Sequence, residues 1–189
     1  MKPSVDTNLL TDEELVSEII KTKESTLFAL LYDRYAPIVY NKCLGFAKNK
    51  VEAEDLTHDI FIKLYVKLKT FKGTAKFSTW LYSFTYNFCV NYVQRNTYKK
   101  KEQLNPDAIE KRASVANEVS DDEIFKLKSD KLLKVLSIID VNDKMILLMK
   151  YQDELSIKEI SVAFSIGESA VKMRLKRAKE RVMEEYKKL

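Results

Sequence analysis

Few side chains in this sequence are suited to covalent chemistry. The single histidine is His58, and the two cysteines, Cys43 and Cys89, have no further cysteine or histidine at ligand spacing. This pattern argues against a zinc site or a Ser-His-Asp triad and favours two ordinary buried thiols. The chain has only three glycines, so no glycine-rich loop could cradle a phosphate. We therefore predict no catalytic residue, no metal, no cofactor and no enzyme activity.

The side chains that could bind a ligand are basic, and the clearest set lies near the C-terminus. The stretch Leu155–Val182 reads LSIKEISVAFSIGESAVKMRLKRAKERV. Ser156 and Glu159 form an S-x-x-E capping box, which predicts the start of a short helix. A tight break follows at Ser165-Ile166-Gly167, where Gly167 is able to take a positive φ angle. The buried face of this helix is predicted to contain Ile157, Ile160 and Phe164.

A second helix is predicted after the break. Its buried face follows helical spacing and contains Val171, Leu175, Ala178 and Val182. Two short helices joined by a tight turn form a helix-turn-helix, whose second helix enters the DNA major groove. The exposed basic face begins in the first turn of the second helix and favours DNA binding. The alternative is a helical hairpin with a solvated lysine face.

The exposed residues of the second helix divide by the contact each could make with DNA. Short polar and bidentate groups near a helix start can reach base edges. The residues predicted to do so are Ser169, Met173, and Lys176 or Arg177. Other basic groups hold phosphates without reading sequence, which here means Lys172, Arg174 and Lys179. Two preceding helices, Ser129–Ile139 and Asp143–Tyr151, are predicted to supply a supporting core of Leu132, Leu136, Ile139, Ile146, Leu147 and Tyr151.

A second unusual stretch, Thr70–Asn96, reads TFKGTAKFSTWLYSFTYNFCVNYVQRN. A short loop with two lysines and a glycine precedes a helix that is too aromatic for one face to bury every ring. Helical spacing and packing predict a core of Phe77, Leu81, Phe84, Phe88, Trp80 and Tyr92. Tyr82 and Tyr86 lie four residues apart on a different face. We expect both rings to be exposed, and partial burial with exposed hydroxyls is the alternative.

The preceding helix, Glu52–Leu68, has a predicted core face of Leu56, Ile60, Phe61, Leu64 and Leu68. A different face mixes acidic, polar and apolar groups and contains Asp55, His58, Asp59, Ile62 and Tyr65. Because a purely solvated face is more often all charged, Ile62 and Tyr65 hint at a protein partner. The alternative is the ordinary scatter of apolar residues over a surface.

The elements that position these groups are predicted to be all-α. Helical periodicity covers a first domain, 8–99, and returns in a second domain, 126–189, which contains the helix-turn-helix. The intervening stretch, 100–125, loses the period and is rich in acidic residues, so we predict a flexible acidic linker. The formal net charge of +5 permits a polyanionic partner. No segment reaches the length of a membrane span, so we expect a cytoplasmic protein without membrane insertion.

The order of these motifs resembles the extracytoplasmic-function sigma factors of bacterial RNA polymerase, the two-domain members of the sigma-70 family. The resemblance covers nearly the whole chain. It implies one domain that binds polymerase and the minus-ten promoter element, and a second that binds the minus-thirty-five element. The partners it implies are core RNA polymerase, promoter DNA and an anti-sigma factor.

By this resemblance, Glu52–Leu68 matches the helix that docks on the clamp helices of the largest polymerase subunit. The implied contacts are Asp55, His58, Asp59, Ile62 and Tyr65. Phe71–Phe77 matches the loop that captures a flipped base, and the following helix supports that loop. Aromatic rings stack on unpaired bases while lysines hold the displaced backbone. The implied minus-ten contacts are Lys72, Gly73, Thr74, Lys76, Thr79, Tyr82, Tyr86 and Asn87.

The sequence departs from the family pattern at four positions. Asn91 replaces a common aspartate, and Gln94 replaces the first arginine of a common basic pair. Ser165 and Gly167 replace a frequent glycine and proline in the helix-turn-helix. Two alternative functions stay open at this point. One is a helix-turn-helix regulator that binds duplex DNA without replacing a sigma subunit. The other is a helical enzyme, which the sequence disfavours because no pair of carboxylates, metal cluster or activated nucleophile stands out.

Overall fold

The structure is a computed structural model that describes residues 10–102, 119–125, 127 and 129–189. These residues form helices and connecting turns, and the described ranges contain no strand. The chain divides into two compact units, Met1–Cys89 and Val90–Leu189. The all-α prediction is confirmed. Residues 103–118 of the predicted flexible linker lie outside the described residues, and the boundaries 8–99, 100–125 and 126–189 stay predictions.

The described residues of the first unit form four helices, of which the fourth continues past the unit boundary. Thr11 and Glu14 form a capping box at the start of α1 (Asp12–Thr22), and the Asn49 side chain caps α3 (Lys50–Lys67). A short 3₁₀ turn, Leu68–Thr70, follows α3. The helices are α1 (Asp12–Thr22), α2 (Ser25–Leu44), α3 (Lys50–Lys67) and α4 (Phe77–Glu102).

The core of the first unit receives side chains from all four helices. The predicted core face of α3 is confirmed, and Phe77 and Leu81 of α4 are also buried as predicted. Burying each large apolar side chain contributes about 1.5–3 kcal/mol. Cys43 and Cys89 are buried free thiols whose Sγ atoms lie 3.9 Å apart, in agreement with the predicted structural role.

Two acidic residues of α1 bind the neighbouring helices. Asp12 forms an ion pair with Arg34 (Oδ1 to Nη1, 2.9 Å) and accepts a hydrogen bond from the Tyr35 hydroxyl. Burial, followed by the bond to Asp12, raises the pKa of Tyr35 well above its usual range. Glu13 accepts a hydrogen bond from the backbone N–H of Phe77. These contacts fix α1 against α2 and against the start of α4.

The described residues of the second unit form five further helices and one π-helical turn, Leu148–Gln152. The predicted helix Ser129–Ile139 ends one residue earlier, and the predicted helix Asp143–Tyr151 is divided between the helix α7 (Val141–Leu147) and the π turn. The helices are α5 (Asp121–Phe125), α6 (Ser129–Ile138), α7 (Val141–Leu147), α8 (Ile157–Phe164) and α9 (Glu168–Lys188).

Helices α8 and α9 form the predicted helix-turn-helix. The capping box of Ser156 and Glu159 is confirmed, with both reciprocal hydrogen bonds present. The left-handed residue of the turn is Ser165 (φ 53°), whereas Gly167 caps α9 with φ −65°. The prediction that Gly167 takes the positive φ angle is therefore wrong. The carbonyl of Ile166 accepts a hydrogen bond from the Ser161 hydroxyl (2.6 Å), which ties the turn back to α8.

The predicted buried face of α9 is confirmed at all four positions, Val171, Leu175, Ala178 and Val182. Ile160, Ile146 and Leu147 are buried as predicted. The other predicted core residues of this unit are only half-buried: Leu132, Leu136, Ile139, Tyr151, Ile157 and Phe164. This small core fixes α9 with its opposite face turned to solvent.

Candidate nucleic-acid interface

The outer side of α3 carries exposed apolar groups among carboxylates. All five residues predicted there are exposed, and Ile62 and Tyr65 retain 67% and 44% of their accessible surface. The Tyr65 ring packs edge-on against Phe28, with ring centroids 5.0 Å apart. Val51 and Val66 are also exposed. Val51 lies four residues before Asp55 and Val66 lies four residues after Ile62, so both are on the same side of the helix as these residues. We name this set the α3 stripe: Val51, Asp55, His58, Asp59, Ile62, Tyr65 and Val66.

The prediction missed Val51 and Val66, although continuing the helical spacing to both ends of α3 would have found them. A groove of about 220 Å³ lies beside the stripe, between α2 and α3. Its lining is mostly aromatic and aliphatic, with Glu54 and His58 among its polar members, and consists of Tyr32, Ala36, Pro37, Tyr40, Glu54, Thr57 and His58. This side of the first unit therefore offers apolar surface with acidic groups beside it.

The loop between α3 and α4 presents basic groups to solvent. Lys72, Gly73, Thr74 and Lys76 are all exposed, as predicted. Gly73 has φ +68°, a backbone conformation in which a side chain would be strained. At the base of the loop, the Phe71 ring lies 5.5 Å from the rings of both Phe77 and Trp80. Aromatic packing therefore anchors a loop whose polar groups remain open.

The tyrosine face predicted on α4 is not an exposed face. Tyr86 has 0% of its surface exposed and Thr79 has 2%, so the prediction that these two residues are accessible to DNA is wrong. The physical reason is that α4 is enclosed along more than half of its circumference. The Tyr86 ring packs against Phe46 (centroids 5.9 Å apart) and lies 5.1 Å from the buried ammonium of Lys42. A base cannot reach a ring in this position.

Tyr82 is half-buried, which agrees with the alternative of partial burial. The Lys42 ammonium lies over its ring, 3.9 Å from the centroid. One face of the Tyr82 ring is therefore already covered by a cation from α2 and is not available to a stacking base.

The accessible aromatic face of α4 lies elsewhere. Trp80, Phe84, Phe88 and Tyr92 are half-buried, so the prediction that these four rings lie in the core is wrong. The Trp80 and Phe84 rings stack with centroids 5.9 Å apart and planes 13° from parallel. Asn87 is exposed as predicted, and Lys63 of α3 lies over Phe88 at 4.5 Å from the ring centroid. We name Trp80, Phe84, Asn87 and Phe88 the outer face of α4.

The sequence signal for this face was weak because aromatic residues occur all around α4. Helical periodicity identifies a buried face only where apolar and polar residues contrast. On α4 the more polar Thr79, Ser83 and Thr85 are buried, while Trp80, Phe84 and Phe88 reach solvent. The position of Lys63 was also missed, because its contact with Phe88 spans two helices.

The solvent face of α9 agrees largely with the residues predicted for DNA. Ser169, Lys172, Met173, Arg174 and Arg177 are exposed, and Lys176 is half-buried. Lys172 and Lys176 lie one turn apart on the same side of the helix. The start of α9 has no side-chain cap on its N–H groups. An exposed helix of this charge fits the contacts expected of a recognition helix.

Lys179 differs from the other predicted phosphate contacts. Its side chain is only 15% exposed, and its Nζ lies 2.8 Å from Oδ1 of Asp121 in α5. The Tyr151 hydroxyl donates to the same oxygen over 2.6 Å. The hydrogen bond from Lys179, followed by the one from Tyr151, lowers the pKa of Asp121. Lys179 therefore anchors α5 in this structure, and the prediction that it is available to phosphate is wrong for the chain by itself.

The described ranges contain neither a cluster of metal ligands nor a membrane-spanning helix. Among those residues, no three His, Cys, Asp or Glu side chains are grouped so that they could hold a metal ion. No helix within them is long and apolar enough to cross a membrane.

Two family models match the chain. The model of sigma-70 region 2 matches residues 31–98, and the model of sigma-70 region 4 matches residues 129–182. The chain is 27% identical to the ECF RNA polymerase sigma factor SigW of Bacillus subtilis (strain 168), over 90% of this chain and 94% of that protein. It is 26% identical to the ECF RNA polymerase sigma-E factor of Escherichia coli (strain K12), over 92% of this chain and 93% of that protein.

Two solved structures share the fold. One is CnrH in complex with the cytosolic domain of CnrY, with a TM-score of 0.60, 14% identity, and coverage of 92% of this chain and 95% of that chain. The other is the sigma factor RpoE in complex with the anti-sigma factor NepR from Bartonella quintana, with a TM-score of 0.59, 18% identity, and coverage of 85% and 96%. These two structures show the shared fold, whereas the two matched regions and the similarity to SigW and sigma-E along nearly the whole chain show that the chain belongs to the extracytoplasmic-function group of the sigma-70 family.

Proposed function

We propose that this sigma factor binds core RNA polymerase through the α3 stripe and contacts promoter DNA through one surface in each compact unit. It directs promoter-specific transcription initiation by recognising the minus-ten and minus-thirty-five elements and promoting strand opening. Membership of the sigma-70 family supports this function, and it also supports a cytoplasmic location and the absence of enzyme activity.

The α3 stripe is proposed to contact the clamp helices of the largest polymerase subunit. The observation that carries this assignment is the exposure of Ile62 and Tyr65 beside Asp55 and Asp59. Exposed apolar groups rimmed by charges are typical of protein-binding surfaces. The carboxylates would favour a partner that presents basic groups.

The loop 71–76 and the outer face of α4 are proposed to hold unpaired bases of the minus-ten element. Lys72, Gly73, Thr74 and Lys76 would frame the flipped base, and Trp80 and Phe84 would provide the aromatic surface in place of the buried Tyr86. Stacking on such a surface contributes about 1–3 kcal/mol per base. This is enough to offset much of the few kcal/mol that unstacking one base costs.

The exposed face of α9 is proposed to enter the major groove at the minus-thirty-five element. Ser169, Met173, and Lys176 or Arg177 would face base edges, and Lys172 and Arg174 would hold phosphates. We infer an anti-sigma factor as a further partner, because RpoE of Bartonella quintana, which has a similar fold, was solved in complex with one.

Reconstitution tests the whole proposal. The purified chain is added to bacterial core RNA polymerase that lacks a sigma subunit, with a library of promoter templates. We expect stable association and transcripts that start downstream of paired minus-ten and minus-thirty-five elements. A helix-turn-helix regulator would bind duplex DNA but would leave the core enzyme unable to initiate. A chain that neither binds core enzyme nor yields such transcripts contradicts the proposal.

A further inference from the structure

Helix α5 has a capped start and is joined to other parts of the second unit by its side chains. The cap is local: Ser120 and Glu123 form reciprocal hydrogen bonds, with Ser120 N to Glu123 Oε2 at 2.8 Å and Glu123 N to Ser120 Oγ at 3.3 Å. Ile124 is buried at 8% exposure. The Asp121 carboxylate binds both Lys179 and Tyr151 through one oxygen. Part of the predicted linker is thus an acidic helix, α5, which is paired with α9, the proposed DNA-binding helix.

Lys179 belongs to the same side of α9 as two other lysines. Lys172, Lys176 and Lys179 follow steps of four and three residues, so their side chains leave the helix in similar directions. A rise of 1.5 Å per residue puts Lys179 about 10 Å along the axis from Lys172. Lys172 is exposed and Lys176 is half-buried, whereas the ammonium of Lys179 already forms an ion pair with Asp121.

The ion pair is of a kind that a polyanion can displace. The Asp121 side chain keeps 52% of its surface exposed, so water and salt screen its attraction for Lys179. A DNA phosphate offers the same type of charged oxygen, and duplex DNA presents many of them in a row. Asp122 and Glu123 add further negative charge to the first turn of α5.

We propose that α5 is an intramolecular competitor of DNA: Asp121 occupies Lys179 in the free chain, and a phosphate must displace it before Lys179 contributes to binding. The proposal rests on the proposed role of α9 in DNA binding. Free sigma factor would then bind duplex DNA more weakly than its basic helix permits. Any event that draws α5 away would add one phosphate contact.

The test measures the affinity of the full chain for a fluorescein-labelled duplex over a range of salt concentrations. Asp121→Asn keeps the side-chain shape and removes the charge, and Asp122→Asn is the matched control on the same helix. We expect Asp121→Asn to tighten binding roughly threefold at low salt. The slope of log affinity against log salt concentration should also become steeper, by about the amount that one phosphate contact contributes. Asp122→Asn should change both quantities much less.

A double-mutant cycle isolates the competition from general charge effects. Lys179→Ala should weaken binding more in the Asp121→Asn background than in the wild type, where Asp121 already occupies the lysine. Tyr151→Phe removes one donor to Asp121 while keeping every charge, so it should change affinity in the same direction as Asp121→Asn by a smaller factor. This variant tests the proposal even if Asp121→Asn disturbs folding, which thermal denaturation of each chain would reveal.

The outcomes separate the inference from the function on which it rests. Equal affinity of Asp121→Asn and wild type, with Lys172→Ala still weakening binding, would overturn the competition and leave α9 as the DNA surface. Equal tightening by the Asp121 and Asp122 variants would also overturn it, because the effect would then be general. If Lys172→Ala has no effect in any background, the proposed DNA surface of α9 itself is wrong.

Discussion

Oε1 of Glu13 accepts a hydrogen bond from the backbone N–H of Phe77 over 2.8 Å, which joins the first turn of α1 to the first residue of α4. The bond satisfies one of the N–H groups that every helix start leaves without an intrahelical partner. It also fixes the C-terminal end of the loop 71–76. The geometry of the basic loop therefore depends on a residue far from it in sequence.

Removing this cap should destabilise the first unit. We expect Glu13→Ala to lower the free energy of unfolding by about 1 kcal/mol, which is typical for loss of a helix cap. Urea denaturation measures the change. Glu18→Ala is the control, because it removes an exposed ion pair with Lys21 that contributes little. Equal stabilities of the two variants would show that the Glu13 contact does not hold α4.

Charge reversal on the α3 stripe should weaken polymerase binding without unfolding the chain. Asp55→Lys and Asp59→Lys place a positive charge on an exposed face that is proposed to meet basic groups. Core-polymerase affinity and circular dichroism of both variants test the expectation. Normal holoenzyme assembly in both variants would exclude this face as the interface.

Truncating the buried ring of Tyr86 and the half-buried ring of Phe84 should have different effects on stability and on promoter opening. Tyr86→Ala removes a fully buried ring and should cost about 3–5 kcal/mol of stability, measured by denaturation. Phe84→Ala removes a half-exposed ring, so it should cost less stability but reduce promoter opening, seen as lost permanganate reactivity of unpaired thymines.

A pre-melted bubble template should restore much of the activity of the Phe84→Ala variant, because the bases are already unpaired. Polymerase binding should persist, since the α3 stripe lies on another helix. If Phe84→Ala opens linear promoters as well as the wild type does, the outer face of α4 is not a base-stacking surface.

Substitutions on α9 should separate phosphate contacts from base contacts. Lys172→Ala is expected to weaken binding to all promoters similarly. The slope of log affinity against log salt concentration should become shallower by about the amount that one phosphate contact contributes. Met173→Ala and Arg177→Ala should instead change which minus-thirty-five sequences are preferred, measured by selection from a randomised element. Uniform weakening by all three substitutions would contradict the assignment of Met173 and Arg177 to base edges.

The sequence by itself determined the features that depend on local interactions. The Ser156–Glu159 capping box and the buried face of α9 follow from spacings of three and four residues, and both occur in the structure as predicted. Most of the α3 stripe followed from the same rule, because Asp55, His58, Asp59, Ile62 and Tyr65 lie away from the core face of that helix, whereas Val51 and Val66 were not predicted.

Tertiary structure decided the orientation of α4 and the availability of Lys179. Aromatic residues occur all around α4, so its own periodicity could not show that Tyr86 faces Phe46 and Lys42 while Trp80 and Phe84 reach solvent. Lys179 is neutralised by Asp121, a residue 58 positions away. Both outcomes depend on which side chains the packing of other helices brings near. A pattern that is read along one helix contains no information about such neighbours.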